Sequence, residues 1–151
     1  MMDELKELYQ QVILDHNRNP RNFGALENHT HTAEGFNPLC GDHFFVDLIL
    51  ENNLVKEIHF HGQGCALSKA SASIMTTLLK GKTLEEAGKL FEKFHDLVTG
   101  KTESITTVEE YGKIAVFSGV REFPVRVKCA SLAWHTMKAA ISIDGKVVST
   151  E

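Results

Sequence analysis

The chain has 151 residues, a net charge of −4 and a hydrophobic fraction of 42%, which together predict one folded globular domain rather than a disordered or two-domain chain. The acidic balance disfavours a nucleic-acid-binding protein, because such proteins carry a basic excess or a basic stripe. No apolar run approaches the roughly 20 residues of a membrane span. We therefore expect a domain that binds neither nucleic acid nor membrane.

The cysteines and the start of the chain indicate its compartment. Cys40, Cys65 and Cys129 are an odd number at wide separations, which does not make a disulfide framework. The acidic, amphipathic start lacks the charged and then apolar order of a secretory signal. A cytoplasmic location is expected, and three thiols in that reducing setting favour a metal or sulfur role.

The first third of the chain is predicted to be a helix followed by a loop. Residues 3–16 repeat apolar side chains at helical spacing, and Asn19-Pro20 ends the helix because the residue before a proline avoids the helical region. Residues 21–41 are rich in helix- and strand-breaking residues and predict a loop with one short strand around 30–36.

Two alternating segments then predict an antiparallel hairpin. Residues 42–51 and 54–61 alternate apolar and polar side chains, and Asn52-Asn53 between them tolerates the positive φ of a tight turn. The predicted buried face of the second strand holds Leu54, Ile58 and Phe60.

Helices dominate the rest of the chain. Helical spacing over residues 66–80 predicts one helix, and Thr83 with Glu86 forms a capping box that starts the next. Residues 99–120 are predicted to be irregular, and 125–142 to be the last helix. The order of elements predicts an α+β domain, a small antiparallel sheet packed against helices.

Each cysteine lies at a boundary between predicted elements. Cys40 precedes the first long strand, Cys65 precedes a helix, and Cys129 lies near the start of the last helix. Helix N-termini and nearby cations lower the pKa of a thiol, so we expect thiolates at these places. Asp42 lies two residues beyond Cys40, and a strand places such residues on one side.

Three thiols and one carboxylate form a candidate set of four metal ligands. Zinc accepts mixed sulfur and oxygen ligands, and iron with sulfide accepts the thiolates. The alternative is that these cysteines are ordinary core residues, since free cysteine is often buried. His59 and His61 share a strand face that more often faces solvent than a metal, and His16 shows no partner spacing.

The cysteine contexts resemble one family. NPLCGD around Cys40, GQGCALSKASAS around Cys65 and RVKCASLAW around Cys129 are similar to the IscU/NifU N-terminal scaffold family of iron–sulfur cluster assembly, and within it to the SufU branch. The opening LYQQVILDHNRNPRNFG also resembles that family. The resemblance covers about residues 5–142 and implies one domain over 1–151 with the SufE/NifU-like α+β sandwich.

Two departures from the IscU type favour the SufU branch. In this chain 63 residues lie between Cys65 and Cys129, which implies a branch insertion around 99–120. Lys128 stands where IscU-like proteins have a histidine, which argues against stable cluster assembly on this chain.

The resemblance implies a zinc-binding sulfur carrier. SufU-like proteins bind zinc through residues that match Cys40, Asp42, Cys65 and Cys129, with Cys40 at the position of the sulfur acceptor. They take persulfide sulfur from a SufS-type cysteine desulfurase, and the sulfur passes to the SufBCD-type assembly complex. In this interpretation the chain is a zinc-dependent sulfurtransferase.

Three points stay open from the sequence. Arg126 and Lys128 either stabilise negative charge on the sulfurs or belong to a solvated helix start. The same ligand set permits a non-enzymatic scaffold that holds a [2Fe–2S] cluster, or iron transiently. A structural zinc domain that only binds proteins is a third interpretation, in which loss of a cysteine unfolds the chain.

Overall fold

The computed structural model describes residues 2–100, 112–142 and 148–149. It confirms the α+β class, and every helix and strand that the sequence predicts is present. In chain order the elements are α1 (Met2–Arg18), β1 (His31–Asn37), β2 (Asp42–Glu51), β3 (Leu54–Gln63), α2 (Ala66–Leu79), α3 (Leu84–Val98), two 3₁₀ helices (Gly112–Phe117 and Val120–Glu122), α4 (Pro124–Ile141) and β4 (Val148–Ser149).

The region from 99 to 120, which the sequence predicts to be irregular, is described only in part. Residues 101–111 of the expected branch insertion lie outside the described residues. The segment Gly112–Phe117 is a 3₁₀ helix whose apolar side chains are buried.

The strands form one sheet in the order β3-β2-β1-β4. Strands β1, β2 and β3 pair antiparallel, and the two residues of β4 pair parallel to β1. The turn between β2 and β3 has positive φ at both Asn52 (53°) and Asn53 (63°), as a tight hairpin turn requires.

A β-bulge near this turn changes which side chains of β3 are buried. Ile49 pairs with Glu57 but Leu50 pairs with Val55, so β3 carries one extra residue. Val55 is fully buried, whereas Leu54 is 40% exposed. The predicted burial of Leu54 is therefore wrong, while that of Ile58 and Phe60 is confirmed.

The core lies between one face of the sheet and the helices. Helix α4 packs on β1 and β2, α2 packs on β3, and α3 packs on α4. Gly35 permits the close approach of α4, because a Cβ there would collide with Thr136 Oγ1. On the other side of α4, the buried ring of Trp134 stacks on Phe94 with centroids 4.4 Å apart. None of the helices in the described part of the chain is both long and apolar enough to cross a membrane.

A partly buried polar cluster, here called the anchor cluster, ties the end of α1 and the following loop to α2. Its members are His16, Arg21, Asn22, Ser73 and Thr76. The Ser73 hydroxyl lies 2.8 Å from His16 Nδ1 and accepts a hydrogen bond from the Arg21 backbone N–H at 2.8 Å. The Asn22 side chain donates to the Thr76 hydroxyl at 3.0 Å. Residues distant in sequence are thus joined by paired polar groups.

Candidate metal centre

Three of the four predicted ligands lie together at one end of the sheet. The Sγ atoms of Cys40 and Cys129 are 3.0 Å apart, and one ligand atom each from Cys40, Asp42 and Cys129 lies within 4.8 Å of the others. Cys40 lies in the β1–β2 turn, Asp42 begins β2, and Cys129 lies in the second turn of α4. These residues come from two separate places in the sequence, 40–42 and 129.

The fourth predicted ligand, Cys65, lies beside this group and is joined to it through Asp42. Its backbone N–H donates to Asp42 Oδ1 at 2.8 Å. Cys65 is the N-cap of α2, where its Sγ accepts a hydrogen bond from the Ser68 backbone N–H at 3.4 Å. We call Cys40, Asp42, Cys65 and Cys129 the sulfur centre.

The local backbone explains how Asp42 reaches the sulfurs. Asp42 lies on the same face of β2 as the buried Phe44, the face that packs against the helices. Gly64 leaves room for the carboxylate, because a Cβ at this position would lie 2.7 Å from Asp42 Oδ1. Gly41 adopts a φ of +70° in the turn, a conformation that suits glycine.

One polar residue of this centre was missed by the sequence analysis. Asn37 is fully buried, and its Nδ2 donates to Asp42 Oδ2 at 3.1 Å and lies 3.6 Å from Cys129 Sγ. Its Oδ1 has no hydrogen-bond partner among the described residues. A buried acceptor without a partner costs about 1–3 kcal/mol. The antiparallel pairing of Asn37 with Asp42 is the signal that could have found it.

The four members of the sulfur centre differ in exposure. Cys40 is exposed and Cys65 is half-buried, whereas Cys129 and Asp42 are buried. Leu39, beside Cys40, is 59% exposed. Cys40 is therefore the thiol of this centre that a partner molecule can reach.

The pKa values of the two less exposed thiols differ from the expectation. Burial raises the pKa of Cys65 and outweighs the opposing hydrogen bond from the Ser68 N–H, and the nearby Asp42 carboxylate adds to the rise. Burial also raises the pKa of Cys129, which the neighbouring Cys40, Cys65 and Asp42 reinforce. The predicted lowering by helix N-termini is wrong for these thiols in the protein alone, because desolvation and like charge outweigh it.

The donor set of the sulfur centre fits zinc. Two sulfurs and one carboxylate lie within 4.8 Å of one another, with Cys65 beside them, and zinc binds such mixed sets of sulfur and oxygen ligands tetrahedrally. Zinc–sulfur bonds of 2.3 Å place two sulfurs about 3.7 Å apart, so Cys40 and Cys129, at 3.0 Å, need to separate only slightly.

The model of the NifU-like N terminal domain matches residues 8–130 of this chain. The chain belongs to the NifU-like N terminal domain family.

Two relatives of this NifU-like domain carry names that describe different roles. It is 39% identical to the zinc-dependent sulfurtransferase SufU of Bacillus subtilis (strain 168) over 138 residues, which are 91% of this chain and 92% of that protein. It is 35% identical to the iron–sulfur cluster assembly scaffold protein IscU of Streptococcus pyogenes serotype M1, over 93% of this chain and 86% of that one.

A solved structure shares the fold of this NifU-like domain. The crystal structure of a candidate iron–sulfur cluster assembly scaffold protein for the SUF system, from Fervidobacterium islandicum AW-1, matches it with a TM-score of 0.80. The two chains are 30% identical, and the match covers 87% of this chain and 94% of that one.

The two cations that the sequence places near the sulfurs have different surroundings in this NifU-like domain. Arg126 is exposed, with its guanidinium 4.6 Å from the centre of the Phe123 ring. It also lines a cavity of about 540 Å³ between α1, the start of α2, the 3₁₀ helices and α4. Lys128, next to Cys129, is half-buried.

Proposed function

We propose that this NifU-like domain accepts persulfide sulfur on Cys40 and carries it into iron–sulfur cluster assembly, with zinc held by the sulfur centre. The observation that carries this proposal is the exposed Cys40 thiol 3.0 Å from the buried Cys129 thiol, beside Asp42. The similarity to a zinc-dependent sulfurtransferase over 91% of the chain supports it.

The transfer step needs an accessible thiolate and no external redox partner. The Cys40 thiolate attacks the outer sulfur of a donor persulfide, a bond forms between these two sulfurs, and the donor's own sulfur–sulfur bond breaks. The donor cysteine leaves as a thiolate, and Cys40 becomes the persulfide. The numbers of sulfurs, protons and electrons are the same before and after the step.

In this proposal some residues of the centre mainly hold the zinc ion, whereas Cys40 also reacts with the donor persulfide. Zinc, when bound, keeps its cysteine ligands deprotonated. Asp42 is oriented by the Cys65 N–H and by Asn37, and Cys65 is oriented by the Ser68 N–H. Cys40 Sγ has a contact with Cys129 Sγ and, within the described residues, accepts no backbone N–H. Cys40 is therefore the ligand best able to turn toward a donor.

The donor in this proposal is the persulfide of a SufS-type cysteine desulfurase, and the recipient is a SufBCD-type assembly complex in the cytoplasm. The similarity to the Bacillus subtilis relative, named a sulfurtransferase, supports the sulfur-transfer role. The exposed side chains of Leu39, Phe123 and Val125 lie on the β1–β2 turn and the start of α4, which also carry Cys40 and Cys129. They offer apolar contact area for the donor.

Arg126 and Lys128 have a secondary role in the proposal. Both lie within three residues of Cys129 at the start of α4. A cation at this place favours a negatively charged sulfur during transfer. Lys128 also occupies the position before Cys129 where the IscU type has a histidine, which favours the carrier over the scaffold.

The second candidate function is a scaffold on which a [2Fe–2S] cluster is built. The similarity to the IscU scaffold of Streptococcus pyogenes favours it, and three thiolates also suit iron and sulfide. The two functions use the same residues but differ in the group that the centre retains.

Two matched preparations separate these functions. One is zinc-loaded protein mixed with a SufS-type desulfurase and cysteine, and the other is metal-free protein reconstituted anaerobically with iron and sulfide. The carrier function predicts a strong increase in desulfurase turnover and no stable visible absorption from a cluster. A stable cluster spectrum with no effect on the desulfurase would instead establish the scaffold.

A further inference from the structure

The side chain of Asn37 forms hydrogen bonds to two members of the sulfur centre, Asp42 and Cys129. Asn37 is the last residue of β1 and pairs directly with Asp42 across the sheet. Its Nδ2 lies 3.1 Å from Asp42 Oδ2 and 3.6 Å from Cys129 Sγ. An amide nitrogen carries two protons, so one group can donate to both a carboxylate and a thiolate.

The orientation of this amide is determined by its surroundings. Turning the amide over would point Oδ1 at the Asp42 carboxylate and at Cys129 Sγ, which are both acceptors when ionised. The observed orientation instead leaves Oδ1 buried without a hydrogen-bond partner among the described residues. In this orientation Oδ1 stays unpaired, while Nδ2 points at the sulfur centre.

A second pair of residues shows what an ordinary hydrogen bond between these strands looks like. Thr32 on β1 donates to the buried Asp47 on β2 at 2.6 Å, and these two residues also pair directly across the sheet. They lie on the opposite face of the sheet, because Asn37 is five residues from Thr32. Asp47 also accepts the Leu26 backbone N–H, so this pair ties a loop to the sheet.

We propose that Asn37 is a positioning residue of the sulfur centre that holds Asp42 and Cys129 in their ligating orientation and leaves Cys40 as the mobile ligand. This inference rests on the proposed zinc-dependent function. Residues that orient metal ligands without binding the metal themselves typically change metal affinity by roughly 10–100-fold when they are removed. Asn37 therefore acts through Asp42 and Cys129 and touches neither the donor sulfur nor Cys40.

The test compares Asn37→Leu with Thr32→Val in the full-length chain. Leucine has the same branched side-chain skeleton as asparagine, and it removes the two donated hydrogen bonds together with the unpaired oxygen. We expect zinc affinity, measured by competition with a chelator, to fall roughly 10–100-fold. The melting temperature of the metal-free protein should change little, because the removal of the unpaired Oδ1 offsets the loss of the donor to the buried Asp42 Oδ2. Cobalt loaded in place of zinc should show altered visible bands, which report the ligand geometry.

The matched control and a second variant make the outcome decisive. Thr32→Val should lower the melting temperature with zinc affinity unchanged. Asn37→Ser, whose single hydroxyl proton can serve one acceptor at a time, should lose less affinity than Asn37→Leu, and it replaces the leucine variant if that one does not fold.

Three results would overturn the inference. Unchanged zinc affinity and cobalt bands in Asn37→Leu and Asn37→Ser would show that the amide does not position the ligands. A melting temperature that falls as in Thr32→Val, with no loss of affinity, would show a structural role only. Failure of the unsubstituted protein to bind zinc through its cysteines would refute the proposed function itself, and this inference with it.

Discussion

The anchor cluster and the sulfur centre are both polar clusters that join distant parts of the chain, but they differ in how their atoms are paired. In the anchor cluster, the hydroxyls of Ser73 and Thr76 each have partners at hydrogen-bond distance, including His16. In the sulfur centre, two sulfurs approach to 3.0 Å beside a carboxylate, and Asn37 Oδ1 is unpaired.

This difference indicates that the anchor cluster stabilises the fold, whereas the sulfur centre is suited to binding a metal. A fully paired cluster gains nothing from a further ligand and stabilises the fold as it stands. A cluster of acceptors and thiols with raised pKa values gains free energy when a cation enters. Changes in the anchor cluster should therefore alter stability alone, and changes in the sulfur centre should alter metal binding first.

The largest effect is expected from Asp42→Asn. The substitution keeps the side-chain size but removes the charged oxygen ligand, and its amide cannot accept from both the Cys65 N–H and Asn37. We expect zinc affinity to fall by more than the roughly 10–100-fold typical of residues outside the ligand shell. Chelator competition and metal analysis of the purified variant measure this loss.

Asp47→Asn is the matched control for Asp42→Asn. Asp47 is also a buried aspartate of β2, but it lies on the opposite face and accepts from Leu26 and Thr32. Its substitution should lower stability and leave zinc affinity unchanged. Full zinc occupancy in Asp42→Asn would show that Asp42 is not a ligand, and an equal loss of zinc in Asp47→Asn would show that the loss does not report ligation.

Ser73→Ala is expected to have the next largest effect, on stability alone. It removes the partner of His16 Nδ1 and the acceptor of the Arg21 N–H. Leaving these groups unpaired should lower the free energy of unfolding by about 2–3 kcal/mol, measured by urea denaturation. The exposed Ser142→Ala should change it by less than about 0.5 kcal/mol. A change in zinc affinity with Ser73→Ala would break the contrast between the two clusters.

Much of the fold could be predicted from local patterns. Apolar periodicity predicted the helices and strands, the capping box of Thr83 and Glu86 is present with both hydrogen bonds, and Asn52-Asn53 is a tight turn. Leu54 was placed wrongly because a β-bulge depends on how two strands pair, which the alternation within one strand does not encode.

The residues of the candidate site could be predicted from the sequence more readily than the pKa values of its thiols. The motifs around the cysteines pointed to Cys40, Asp42, Cys65 and Cys129, but the raised pKa values follow from burial, which a motif does not report. The partner of His16 is Ser73, which lies 57 residues away in sequence. Such pairs are brought together by helix packing and have no spacing signal.

The smallest expected effect is the acid sensitivity of the anchor cluster. Burial, with the Arg21 charge, lowers the pKa of His16 in the folded protein below its ordinary value of 6.5. As the pH falls, the unfolded chain takes up this proton first, so unfolding becomes easier. The contribution is complete above about pH 6.5 and is lost as the pH falls through the folded pKa.

The variant His16→Gln checks this contribution. Its stability, followed by thermal unfolding from about pH 7.5 to about pH 5.5, should decline less steeply than that of the unsubstituted protein. Part of the slope should remain, because burial also lowers the pKa of His135. An unchanged slope would mean that His16 titrates alike in the folded and unfolded chains.

The central claim is that Cys40 receives the sulfur, and mass spectrometry of the persulfide tests it most directly. Zinc-loaded protein is mixed with a SufS-type desulfurase and cysteine, alkylated and digested. We predict one added sulfur on the Cys40 peptide, and in Cys40→Ala no added sulfur, no stimulation of the desulfurase and a nearly unchanged melting temperature of the metal-free protein. Sulfur on Cys65 or Cys129 instead, or full stimulation by Cys40→Ala, would contradict the account.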